Sequence, residues 1–126
     1  MNKFILITAI ACILIAGCAC LTQNENPLPA SPQIENPQWV DQLIAQFKAE
    51  PVGNPPQSTW RYEYHGQVVY FVPAQCCDMY STLYDEGGNV ICAPDGGIDG
   101  KGDGRCEDFF SQRSGEGLIW QDPRKR

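Results

Sequence analysis

Four cysteines, Cys76, Cys77, Cys92 and Cys106, constrain this chain of 126 residues more than any other feature. A domain this small has a marginal hydrophobic core and depends on covalent staples to a degree that larger domains do not. An even cysteine set in such a domain reads first as a disulfide framework. Four cysteines allow three connectivities. The one joining adjacent Cys76 and Cys77 closes a strained ring and is set aside. Two then stand open: 76–92 with 77–106, or 76–106 with 77–92, each tying a glycine-rich loop to a hairpin. Each bridge contributes about 2–4 kcal/mol. The competing reading is a zinc site with His65 as an additional ligand. Zinc sites space their first cysteines by two to four residues so that both sulfurs turn toward one ion, which an adjacent pair does awkwardly. No C-x-x-C redox pair is present.

Disulfides need an oxidising compartment, and the N-terminus carries an export address. "MNKFILITAIACILIAGC" has one cation at Lys3, an apolar run over residues 4–16, and then a cysteine. The run falls short of the roughly 20 apolar residues that span a bilayer, and its flanks are those of a signal peptide. The closing "IAGC" resembles a bacterial lipobox, which implies cleavage after residue 17 and lipidation of Cys18. Several acyl chains on one cysteine suffice for durable anchoring. Ala19 follows the lipidation site; by the Gram-negative sorting rule this implies the outer membrane. Residues 18–36 then form a lipidated tether. "LTQNENPLPASPQIENP" is too rich in Asn, Pro and Gln to bury a core.

Residues 37–126 form the single folded domain. Asn36 suits an N-cap and Pro37 the first helical position. Trp39, Val40, Leu43, Ile44 and Phe47 recur on one helical face, and Pro51 ends the helix. In "STWRYEYHGQVVYFV", Trp60, Tyr62 and Tyr64 alternate with polar residues, and His65-Gly66 makes a two-residue hairpin turn. Pairing Tyr64 with Gln67, Tyr62 with Val69 and Trp60 with Phe71 gives an aromatic and aliphatic face, which we expect to receive the helix. A second hairpin turns at residues 85–88, with Gly88 in the left-handed position. "DFFSQRSG" forms a helical turn and "GLIWQD" a last strand. The expected class is α+β: one N-terminal helix packed on a small antiparallel sheet, cystatin-like in layout and stapled by disulfides.

"GQVVYFVPAQCCDMYSTLYDEGGNVICAPDGGIDGKGDGRCEDFF" and the later "LIWQDPR" are similar to an uncharacterised family of small envelope lipoproteins of the Bacteroidetes type. The signatures are "CCD", "LYD..GN.IC.P.GG" and "GDG.C.DF". The resemblance implies an envelope address and carries no activity with it.

The loop "PDGGIDGKGDGRCED" places Asp95, Asp99 and Asp103 at four-residue intervals, each followed by glycine. Oxygen ligands on a flexible backbone suit calcium, although the EF-hand match breaks at its last position. The other reading is a loop of tight turns between Cys92 and Cys106. Eight acidic and two basic side chains lie between Asp78 and Asp108. Such a surface repels phosphate backbones, which excludes nucleic acid, and attracts cations or a basic protein. The single histidine, His65, sits at a turn, and no catalytic motif appears, so no enzyme is expected. The expected function is a membrane-anchored binding or inhibitor-like module that meets an envelope protein. The alternative is a structural lipoprotein whose acidic loop takes calcium. No other cofactor is expected.

Overall fold

Pro37 sets the entry to the first helix. The structure, a computed structural model, describes residues 35–76 and 78–125. The expected signal peptide, the Cys18 lipidation site, the tether up to residue 34 and Cys77 lie outside the described residues. Helix α1 runs Gln38–Ala49. Pro37 takes the N-cap position that was expected for Asn36, because its backbone is extended (φ −55°, ψ 141°), and no side chain caps the helix. Glu50, held extended before Pro51, ends it.

Five strands follow: β1 Ser58–Tyr64, β2 Gln67–Val72, β3 Thr82–Asp85, β4 Val90–Cys92 and β5 Ser114–Gln121. A four-residue helix α2, Phe109–Gln112, precedes β5. All pairs are antiparallel, in the order β4-β3-β2-β1-β5, so β4 and β5 are the two edges. The first hairpin has the expected register: Trp60 with Phe71, Tyr62 with Val69, Tyr64 with Gln67. Its turn holds both His65 (φ 49°) and Gly66 (φ 76°) left-handed, as a two-residue turn matched to strand twist requires. At the second hairpin, Gly88 N–H donates to Asp85 O at 3.1 Å.

The sheet buries both of its faces. On one, Tyr62, Tyr64, Val69, Phe71 and Leu83 cluster with Phe109 of α2 and with Cys92 and Cys106. On the other, Val40 and Ile44 of α1 pack with Tyr70, flanked by Trp39, Val68, Tyr84, Ile119 and Trp120. This corrects the expected packing: α1 lies on the Val68–Tyr70 face, and the aromatic face receives Phe109 and the Cys92–Cys106 bridge instead. The physical reason is that "VVYFV" supplies large apolar groups to both sides, and the edge strand adds Ile119 and Trp120 to the α1 side. Trp39 seats the helix. Its ring meets Tyr70 edge-on at 5.2 Å and its Nε1 donates to Glu86 O at 2.9 Å. A Cβ on Gly88 would come within 2.9 Å of that indole ring, so the turn needs glycine twice over, for φ and for space.

Candidate functional site

The segment from Cys92 to Cys106 is built from its two ends inward. Cys92 closes β4 and Cys106 precedes α2; both are buried, and they bond to each other. That bond overturns both connectivities favoured from the sequence, since each of those sent Cys92 and Cys106 to the adjacent pair. The loop is closed on itself because both sulfurs turn into the aromatic core beside Leu83 and Phe109. Cys76 is also disulfide-bonded.

Inside the closed loop the backbone binds itself at several points. Asp103 N–H donates to Ala93 O at 2.9 Å, Gly102 N–H to Gly96 O at 3.0 Å and Gly100 N–H to Gly97 O at 3.2 Å. The segment before β3 adds further anchors: Gly97 N–H reaches Met79 O at 3.2 Å, and Ser81 brackets Asp95 through its own N–H and hydroxyl. Gly102 is indispensable here, because a Cβ at its φ of 71° would sit 1.9 Å from the Ala93 carbonyl oxygen.

The three aspartates serve this turn geometry. Asp99 Oδ1 accepts the Lys101 N–H at 3.1 Å and Asp103 Oδ1 accepts the Arg105 N–H at 3.1 Å, each a side chain closing a turn two residues on. The Arg105 guanidinium hydrogen-bonds Asp103 and holds its carboxyl below the usual carboxylate range. Asp95 turns inward, with Oδ1 buried and without a hydrogen-bond partner. Among the described residues, no three His, Cys, Asp or Glu side chains stand as a metal-holding group.

The loop instead presents Ile98, which the sequence reading passed over. Ile98 occupies the turn between Gly97 and Gly100 and is 93% exposed. Met79 and Tyr80, each 55% exposed, belong to the segment that anchors the loop, and the Tyr80 ring packs against Gly97. The sequence signal was available in "GGIDG": a large aliphatic residue amid turn formers has no neighbours along the chain with which to be buried.

His65, considered above as an additional zinc ligand, stands apart from the loop in a different cluster. Its Nε2 lies 2.9 Å from Asp108 Oδ2, while the Tyr64 hydroxyl donates to Asp108 Oδ1 at 2.6 Å. The Tyr64 hydrogen bond, aided by His65, holds the Asp108 carboxyl below its ordinary value. Burial, and then the bond to Asp108, pushes the Tyr64 phenol up to about 12. The arrangement fixes the first hairpin's turn to the start of α2.

No curated protein and no solved structure matches this chain. A family model covers residues 45–122, from the second half of α1 through the end of β5. The chain therefore belongs to DUF6970, a family defined by a domain of unknown function.

Proposed function

We propose that this protein is a lipid-anchored envelope binding module without catalytic activity, held to the outer membrane through Cys18, and that its closed loop docks an envelope protein in the manner of an inhibitor. The observation that carries the reading is Ile98, 93% exposed at the tip of a loop that is disulfide-closed and cross-bonded. Most of the cost of ordering a contact loop is already met during folding, so an apolar group presented this way gives up little entropy on binding. Asp99 follows it in the chain, and residues 78–108 carry eight acidic against two basic side chains, which favours a partner with an apolar pocket and a basic rim. The layout, with one helix across an antiparallel sheet, is the basis of our likening to cystatins. The lipobox-like "IAGC" and the resemblance to Bacteroidetes-type lipoproteins support the address.

The test is crosslinking from position 98 on intact cells, followed by mass spectrometry. One stoichiometric envelope partner is expected, and Ile98→Asp should abolish its capture while leaving the melting temperature unchanged. Equal capture by the variant would overturn the docking role of the loop. For the anchor, Cys18→Ser should release the protein from the membrane fraction, and persistent fatty-acid labelling of that variant would refute it.

A further inference from the structure

Among the described residues, Arg61 is the arginine with no carboxylate at ion-pair distance; its guanidinium meets the Tyr70 hydroxyl instead. Arg105, Arg113 and Arg124 each lie within ion-pair distance of a carboxylate, Asp103, Glu116 and Asp122 respectively. Among the described residues, no carboxylate stands at that distance from Arg61, although the chain carries 15 acidic against 9 basic residues. Its Nε is buried and has no hydrogen-bond partner. A buried guanidinium N–H left unmatched bears its full desolvation cost. A ligand that matched it would recover that cost.

The space for a ligand is beside it. Arg61 pairs with Tyr70 on β2 and with Gly117 on β5, on the α1 side of the sheet. Cross-strand partners share a face, so the glycine leaves open the volume that a side chain on β5 would fill. The result is a cleft of about 380 Å³ at the β5 edge, lined by Asn36, Arg61, Gly117, Leu118 and Ile119 among others. Asn36 contributes a neutral amide, and α1, which begins two residues further on, has no side-chain cap at its N-terminus. Both features favour negative charge or hydrogen-bond acceptors at this end of the helix. Burial pushes the Tyr70 phenol up and the neighbouring Arg61 guanidinium pulls it back.

We infer that Arg61 and the cleft beside it form a binding site for the carboxylate of a small organic acid with an apolar tail. Two features select this class. Arg61 is the one cation among the residues that line the cleft, so a monoanion is better matched than a phosphate dianion. Ile119, which packs on the α1 side, supplies an apolar wall for the tail. The planar guanidinium accepts a carboxylate side-on, through Nε and one terminal nitrogen, which an ammonium cannot do. The site lies at the β5 edge and the Ile98 loop follows the opposite edge strand, β4, so this inference is independent of the docking reading.

The test is NMR titration of the full-length protein with isovalerate, its neutral amide isovaleramide, and inorganic phosphate at matched ionic strength, read at the Arg61 Nε–H. Isovalerate should give a saturable shift that the amide and phosphate do not. Arg61→Gln should abolish it. Arg61→Lys, which keeps the charge and loses the fork, should weaken binding by about tenfold or more. An equal response to phosphate, or an equal response to the amide, would overturn the proposal, as would undiminished isovalerate binding by the lysine variant. If the glutamine variant fails to fold, those comparisons in the wild type and the lysine variant still decide the question. No saturable shift in the wild type refutes the site outright.

Discussion

Tyr64 carries a linkage between pH and stability that can be read from its partners. Its folded pKa, about 12, stands above the ordinary phenol value of 10. A raised pKa means that the stabilisation is fully present below pH 10 and is lost as pH rises through about 12. Tyr62 behaves alike: burial, and then the hydrogen bond to Glu116, raises it to about 12. Tyr62 and Tyr64 should therefore resist ionisation until about pH 12 in a tyrosinate absorbance titration, and Tyr64→Phe should remove one late-ionising phenol. The same substitution removes the principal cause of Asp108's depressed pKa, so that carboxyl should move back up toward its ordinary value. Asp108 has the opposite sign: its contribution is present above the unfolded carboxyl pKa, near 3.9, and fades as pH falls through the lower folded value. A Tyr64→Phe variant that left both titrations unchanged would show that the hydroxyl does not bond Asp108 in solution.

Elements are tied together by a few contacts that local sequence rules do not encode. Arg124 is bound to the buried Asp122 by Nε and Nη2, and it also donates to the last carbonyls of α1, Lys48 O at 3.2 Å and Phe47 O at 3.0 Å. Arg124→Gln should fray that end of the helix, seen as faster amide exchange over its last turn, with exchange at Trp39 unaffected. Within the loop between Cys92 and Cys106, two glycines of like conformation separate strain from space. Gly100 (φ 73°) has open room for a Cβ, so Gly100→Ala should cost only the left-handed penalty of about 1–2 kcal/mol. Gly102→Ala also drives a methyl into the Ala93 carbonyl, so it should cost more and disrupt the Asp103–Ala93 hydrogen bond. Equal denaturant midpoints for the two variants would contradict this packing. The hairpins were legible in the sequence because their turns demand positive φ at His65-Gly66 and Gly88, and the register follows once the turn is placed. The face chosen by α1 was not legible, since Val68 and Tyr70 compete with Val69 and Phe71 for the same description as core. Nor could spacing reveal that Cys92 meets Cys106, because that depends on α2 carrying Phe109 over the sheet. Ile98 was legible in "GGIDG", whereas Arg61 was hidden for a related reason: a missing counter-charge is a property of the assembled fold.

Taken as a whole, the domain is one sheet with a separate apolar cluster on each face, and the question is whether the two melt together. The middle strands argue that they must. Tyr70 belongs to the α1 cluster, yet its chain neighbours Val69 and Phe71 belong to the Phe109 cluster, so the same backbone ladder supports both. Loosening β2 from one side removes its support on the other. The Cys92–Cys106 bridge, with a sequence separation of 14, restrains the unfolded chain by about 3 kcal/mol on the chain-entropy account. That is a large share of the roughly 5–15 kcal/mol that keeps a domain folded. Phe109→Ala removes a fully buried ring from the face opposite α1 and should cost about 3–5 kcal/mol. Ile44→Ala, on the α1 side, should cost about 2–5 kcal/mol. If the faces are one cooperative unit, thermal unfolding followed by far-UV dichroism, which reports α1, and by near-UV dichroism, which reports the packed rings, should coincide in the wild type and in both variants. Phe109→Ala would then lower the helical midpoint as much as the aromatic one, although no atom of Phe109 belongs to the α1 cluster. A helical signal that kept its wild-type midpoint in that variant would mean that the two faces fold independently.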